Sequence, residues 1–345
     1  MYKVGVFPGK FFPPHRGHLN SIINAATQCE KLYVVVSNNP KAIERACKES
    51  KIRLMDLKLR TRWMSVELQG FDHIKVIMLD EDGIPEYPAG WELWSEKLLE
   101  VVPEKFDVIF GGETKYAEQY NIKFPDVKYE LFDYGREKYP ISATMIRSNP
   151  LKYWDYILGV AREHFAKRVL ITGTESCGKT TITRYLGKIY CTSWEEEEGR
   201  YYSDRYLGGN EEVFTVRDFE CIAHKQYLAD KKALKACNRV VFFDTDAIVT
   251  QYYLGQYLNN AYSDYIERFV DRNKYDVVLM FTPDVKWVDD GQRFLSGDEL
   301  RWKLHDKLKN MYIDRGFGEK IIEIKGNYNQ RLNQAISIID NLLKY

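Results

Sequence analysis

Two stretches of this 345-residue chain carry residue types that handle phosphate. The first, GKFFPPHRGH, runs from Gly9 to His18 and places His15 and His18 three apart, with Gly17 between them and Lys10 upstream. Imidazole N–H groups donate to phosphate oxygens, an ammonium neutralises charge, and glycines such as Gly9 let backbone approach a ligand. A His-x-x-His pair also suits a metal, but no Cys or third His lies close by. Far downstream, PISATMIRSNP (140–150) offers Ser142 as a helix N-cap, with Thr144 and Arg147 following it. Hydroxyls and a guanidinium at a helix start make a second anion cradle.

The second stretch, GTESCGKTT, matches G-x-x-x-x-G-K-[ST] from Gly173 through Gly178, Lys179 and Thr180. It follows the apolar run RVLIT and opens a helical pattern, which is the context that gives this motif its meaning. Backbone N–H groups from Glu175, Ser176, Cys177 and Gly178 through to Thr181 would cradle the phosphates of ATP. Lys179 would reach the β- and γ-phosphates, and Thr180 would ligate Mg²⁺. Cys177 is given no chemistry beyond its place in the loop. A kinase also needs a metal-anchoring carboxylate and a base. VVFFDTDAI ends an apolar run with Asp244, expected on the metal, and Asp246. SWEEEEGRYY offers Glu197 as base where a second strand would end, and Asp246 is its rival. WVDDGQR supplies Arg293 for a lid over ATP.

These groups need a scaffold that brings strand ends together. KVGVF, LYVVVS, IKVIML and DVIFGG read as buried strands, with helical patterns near 18–28, 56–70 and 91–101 between them. RVLITG, RVVFFD, DVVLMF and KIIEIKG restart the alternation, with helices near 179–190, 216–236, 299–313 and 328–343. The fold class is therefore α/β, with two tandem parallel sheets. A first α/β domain is expected over 1–149, a connector helix over 150–166 and a P-loop kinase domain over 167–345. In such sheets ligands gather at the carboxyl ends of the strands.

Composition narrows the partners. Residues 1–166 hold 23 basic and 23 acidic side chains, and residues 167–345 hold 27 and 27. No half carries the basic excess of a nucleic-acid binder, so no nucleic-acid partner is expected. The six cysteines, at 29, 47, 177, 191, 221 and 237, form no Cys-x-x-Cys pair. Scattered thiols, a first strand entered at once and no long apolar run lead to the expectation of a cytoplasmic protein without signal peptide or membrane partner. A homo-oligomer is left open.

GKFFPPHRGH followed by ISATMIR resembles the nucleotidyltransferase family, which transfers an adenylyl or cytidylyl group without a covalent intermediate. The resemblance implies a Rossmann-like first domain in which His15 and His18 contact the triphosphate at its α-phosphate. It further implies that Arg147 holds the departing phosphates with Ser142 and Thr144 in support, and that Lys10 neutralises developing charge. Over essentially its whole length the chain resembles the NadR family of bifunctional nicotinamide-nucleotide adenylyltransferases and ribosylnicotinamide kinases. Supporting stretches are LRTRWM (59–64), EDGIPEYPAGWELWSE (81–96), EGR (198–200), DTD (244–246) and WVDDGQR (287–293).

That resemblance implies ATP-dependent phosphorylation of nicotinamide riboside to nicotinamide mononucleotide (NMN), then adenylyl transfer to give NAD and pyrophosphate. Trp91 and Trp94 are expected to stack on the nicotinamide ring, and Arg200 to contact substrate. Some relatives carry an N-terminal DNA-binding helix-turn-helix; this chain opens on its first strand, so no repressor role is expected. Relatives have Glu-Tyr-Gly-Arg-Glu where this chain has Glu197-Glu198-Gly199-Arg200-Tyr201, so a second carboxylate is lost. Two rivals stand beside this reading. One is a phosphopantetheine adenylyltransferase fused to a dephospho-coenzyme A kinase. The other is an active adenylyltransferase with a regulatory nucleotide-binding second domain.

Overall fold

The computed structural model describes residues 1–132, 135–271, 273–285 and 298–344. It divides into two compact units, 1–165 and Ala166–Lys344. Among the described residues, no helix is long and apolar enough to cross a membrane.

In the first unit the order is β1 (Tyr2–Gly9), α1 (Arg16–Ala26), β2 (Cys29–Asn38), α2 (Pro40–Glu49), α3 (Leu57–Glu67) and β3 (Ile74–Asp80). Then follow α4 (Trp91–Val101), β4 (Val108–Gly111), α5 (Ala117–Lys123), β5 (Lys128–Leu131), α6 (Ala143–Ser148) and α7 (Gly159–Phe165). The strands pair in parallel in the order β3-β2-β1-β4-β5. Val6, Val34, Val35, Val36 and Ile109 are almost completely buried, as expected for strands covered on both faces. Strand order reverses at β1, so its carboxyl end borders a natural ligand crevice. The GKFFPPHRGH loop starts there.

Residues 150–165 are not one connector helix. A 3-10 turn at Trp154–Tyr156 and the short α7 pack into the first unit through buried Leu151, Trp154, Ile157, Leu158 and Ala161. Their apolar side chains have a core to enter, and a solvated connector would leave them in water.

The second unit runs β6 (Lys167–Gly173), α8 (Lys179–Ile189), β7 (Trp194–Glu195), α9 (Glu198–Tyr206), α10 (Val216–Ala236) and β8 (Val240–Asp244). It continues with α11 (Ala247–Tyr257), α12 (Asp264–Glu267), β9 (Val277–Phe281), α13 (Asp298–Asp314), β10 (Ile321–Ile324) and α14 (Tyr328–Leu343). Its parallel sheet has the order β10-β9-β6-β8-β7. Central β6 lies between β8 and β9, which brings the GTESCGKTT loop beside the end of β8. Gly173 has φ +143°, and a Cβ there would stand 2.5 Å from the Phe281 carbonyl oxygen, so only glycine fits this close approach.

Candidate active sites

In the second unit a cavity marks the site. The loop after β6 turns through Ser176 (φ +56°) and Gly178 (φ +79°), leaving Gly178 as the left-handed cap of α8. Lys179 is buried and donates from Nζ to the Thr174 carbonyl at 2.9 Å. Thr180 Oγ1 donates to Asp244 Oδ2 at the end of β8. Burial pushes the Asp244 carboxyl up to about 7, against the pull of Lys179 and with Glu197 adding to the rise. Its Oδ1 is buried without a partner among the described residues. A hydroxyl and a carboxylate with one free oxygen fit Mg²⁺, a hard cation that keeps waters and phosphate oxygens as its other ligands. Among the described residues no cluster of three or more His, Cys, Asp or Glu is placed to hold a metal ion.

A cavity of about 360 Å³ opens from this loop. Glu175 to Thr181 line it together with Glu197 and Arg200. The far end is aromatic: Phe214 and Phe219 lie with ring centroids 4.8 Å apart, and Tyr257 closes the cluster at 5.7 Å from Phe214. Tyr257 donates its hydroxyl to Glu211, another wall residue. Burial, with Glu175 and Glu197 nearby, pushes the Tyr253 hydroxyl well above its usual range, which places those carboxylates in the field of the slot.

Glu197 caps α9 by position, and its neighbours are fixed. Glu196 takes a forked ion pair from Arg184, with Nε and Nη2 each 2.7 Å from an oxygen. The Glu198 N–H donates to Gln226 Oε1 at 2.9 Å; Gln226 in turn donates to Asp230, which pairs with Lys274 at 2.6 Å. Asp246 is placed differently from the expectation of a base. Its Oδ1 accepts from the N–H groups of Ile248 and Val249 and from the Tyr312 hydroxyl at 2.7 Å. Burial raises its carboxyl, and it is not among the cavity's lining residues. Its oxygen caps α11, because an aspartate just before Ala-Ile-Val is where a helix takes its N-cap. Arg293 lies outside the described residues.

In the first unit, His15 caps α1, its Nδ1 accepting from the His18 N–H at 3.4 Å, and the two imidazoles stack with centroids 3.6 Å apart. A Cβ at Gly17 would press on the His15 ring at 3.1 Å, which accounts for the glycine between them. Burial and the Arg136 charge push His15 down to about 4, and burial with His15 beside it holds His18 well below its usual value. The rings are thus neutral at pH 7, and His18 Nδ1 is buried without a partner among the described residues. Lys10 is exposed in the same loop after Gly9.

The ISATMIR segment arrives at this loop as expected. Ser142 caps α6 through the Met145 N–H at 3.1 Å, and Arg147 donates to Thr144 Oγ1 at 3.1 Å and to the Phe12 carbonyl at 2.6 Å. Trp91 and Trp94 stack on each other at 5.5 Å, and Tyr120 meets Trp91 edge-on at 4.8 Å. Both indoles pack against a cluster with Val6, Tyr33 and Leu98 at its centre.

Two family models match: Cytidylyltransferase-like over 6–149 and AAA domain over 168–331. The trifunctional NAD biosynthesis/regulator protein NadR of Escherichia coli (strain K12) is 29% identical over 347 residues, covering 99% of this chain and 83% of that protein. A crystal structure of NadR protein in complex with NR superposes with a TM-score of 0.83 at 26% identity, covering 99% of this chain and 96% of that one. A second, of NadR protein in complex with NAD and AMP-PNP, gives 0.80 at 27% identity with the same coverage. Over nearly its whole length the chain is thus similar to NadR proteins in sequence and in fold.

In this NadR-like chain the slot of Phe214, Phe219, Tyr253, Tyr257 and Glu211 escaped the sequence reading. Tyr253 and Tyr257 stand four apart in YYLGQY, a spacing that puts both on one helical face, and that was the available signal. Arg184, Glu196 and Gln226, which also line the cavity, were equally unmarked.

Proposed function

We propose that this chain makes NAD in two consecutive ATP-dependent steps, one in each unit. The second unit phosphorylates the 5′-hydroxyl of nicotinamide riboside, giving NMN. The first unit then joins NMN to the adenylyl group of a second ATP. The observation that carries this reading is the aromatic, carboxylate-lined slot against the phosphate loop. Nicotinamide riboside has a flat cationic ring, which suits aromatic faces and nearby negative charge.

In the kinase step the loop amides, Lys179 and the N-terminus of α8 hold the ATP phosphates. Glu197 takes the proton as the 5′-oxygen attacks the γ-phosphorus, and ADP leaves. Thr180 and Asp244 are the residues that would hold Mg²⁺, which neutralises phosphate charge when bound. Arg200 contacts the acceptor. This assigns the base to Glu197 alone, with Asp246 kept as the cap of α11.

In the transferase step an oxygen of the NMN phosphate attacks the α-phosphorus of ATP; the bond to the β-phosphate bridging oxygen breaks, and pyrophosphate departs. His15 and His18 donate to the α-phosphate, and Lys10 and Arg147 offset charge on the leaving group, with Ser142 and Thr144 fixing the short helix that carries Arg147. No covalent enzyme intermediate is needed, because alignment and fixed charge supply the rate. Trp91 and Trp94 act as packing for α4 in this account.

Acceptor profiling tests the assignment. Nicotinamide riboside should be phosphorylated far better than uridine, a neutral nucleoside of similar size, and NMN should be adenylylated in preference to phosphopantetheine. Preference for phosphopantetheine would support the coenzyme A reading. ATP binding without turnover of any riboside would make the second unit a regulatory module.

A further inference from the structure

The transferase unit contains an arginine that neither motif includes. Arg60, on α3, is completely buried, and its guanidinium is ringed by oxygens from three elements. Nε donates to the Met55 carbonyl at 3.0 Å and the Asp56 carbonyl at 3.2 Å. Nη1 donates to the Ser37 carbonyl at 3.0 Å and also to the Lys10 carbonyl, and Nη2 donates to Asn38 Oδ1. All these partners are neutral amide oxygens, and among the described residues no carboxylate is hydrogen-bonded to the guanidinium. Burial pushes Arg60 down to about 10 against the weaker opposing pull of Asp56 and Glu81, so it stays charged at pH 7.

A buried charge with no direct ion-pair partner is costly, and a fold that only needed filling there would use an apolar side chain. Two features give the charge a use. The Lys10 carbonyl belongs to the loop that leads to His15 and His18, and Ser37 and Asn38 end β2 beside it. Phe12, two residues after Lys10, lies between two cations: Arg60 Cζ is 5.8 Å from its ring centroid and Arg147 Cζ is 4.5 Å away. Arg147 also holds the Phe12 carbonyl. One guanidinium therefore anchors the stretch that sets both Lys10 and Arg147.

We propose that Arg60 is a positioning residue for adenylyl transfer: it fixes the Lys10–Phe12 stretch to the carboxyl end of β2, and its charge, only partly offset by Asp56 and Glu81, favours a polyanion in the loop above. The proposal rests on the reading of this unit as an adenylyltransferase. Its direct consequence is a division of labour between fork and charge. The five-donor fork sets alignment, expressed in kcat, and the charge sets affinity for the triphosphate, expressed in the KM for ATP.

The test uses the full chain, with NAD formation from NMN and riboside phosphorylation measured on the same sample. Arg60→Met should lower transferase kcat by about 100-fold, the scale of an ångström-sized misplacement, and raise the KM for ATP. Arg60→Lys, which keeps charge and loses the fork, should return the KM toward wild type while kcat stays low. Phosphorylation should change less than about twofold in both, which marks the protein as folded. A merely structural role would lower the active fraction and leave the KM for ATP unchanged in both variants, and that result overturns the proposal. So does Arg60→Met with wild-type kinetics. Should Arg60→Met fail to fold, the kcat and KM split in Arg60→Lys decides alone. Wild-type protein that makes no NAD from NMN would instead overturn the adenylyltransferase reading on which the proposal rests.

Discussion

Arg147 donates from Nη1 to the carbonyl oxygen of Phe12 at 2.6 Å, across 135 positions of sequence. Its guanidinium also lies over the Phe12 ring. The two motifs of the first unit are thereby one object. Arg147→Lys keeps a charge but loses the planar fork, so it should lower NAD formation from NMN by about 10²–10³-fold. Steady-state assay of both reactions checks this, because riboside phosphorylation belongs to the other unit and should be unchanged.

The kinase unit separates two carboxylates that lie close to one another in function by sequence alone. Glu197→Gln should lower the phosphorylation kcat by about 10²–10⁴-fold with no loss of thermal stability. Asp246→Ala removes the cap of α11 and should destabilise the unit by about 1–2 kcal/mol, whereas Asp246→Asn, which keeps an oxygen acceptor, should phosphorylate at a near-wild-type rate. Denaturant unfolding beside kinetics distinguishes cap from base. A large kcat loss in Asp246→Asn would return the base to Asp246.

The stacked histidines give the ligand-free protein a defined pH dependence. His15 has a folded value of about 4 against an ordinary 6.5, and His18 is lowered in the same direction. The unfolded chain therefore binds protons first as pH falls. Stability from this pair is complete above pH 6.5 and is lost as pH falls from 6.5 through 4, on the order of 3 kcal/mol for His15. Unfolding of the transferase unit, followed in urea from pH 7 to pH 4, should show that slope. A double His15→Asn, His18→Asn variant should flatten it.

Asp244→Asn removes the carboxylate that Thr180 meets and whose Oδ1 has no partner among the described residues. Phosphorylation should fall by at least about 100-fold and need more Mg²⁺, while NAD formation from NMN continues. A titration of activity against Mg²⁺ reads both effects.

Much of this architecture was legible in the chain, for reasons visible in particular residues. KVGVF, LYVVVS, RVLITG and VVFFD are apolar through and through because both faces of a parallel sheet are covered. GKFFPPHRGH and GTESCGKTT could be placed because each follows such a run and opens a helix. What escaped was short or assembled at a distance. Strand β7 is two residues long, and KYEL at 128–131 alternates too briefly to stand out. Leu151, Trp154 and Leu158 look like the apolar face of a connector until there is a core to receive them. Asp244 and Asp246 sit two apart in one tripeptide, and only their hydrogen bonds separate them. The aromatic slot joins residues 211–222 to 253–257, and Arg60 joins three elements, so neither leaves a local pattern.

One time course tests the central claim most directly. Full-length protein is incubated with nicotinamide riboside, Mg²⁺ and excess ATP, and riboside, NMN and NAD are separated by chromatography. Wild type should convert riboside to NAD through transient NMN. His18→Ala should stop at NMN, and Lys179→Ala should make neither product until NMN is supplied, whereupon NAD forms. Riboside left untouched by wild type while supplied NMN becomes NAD would contradict the kinase assignment, and no reaction of either compound would contradict the account as a whole.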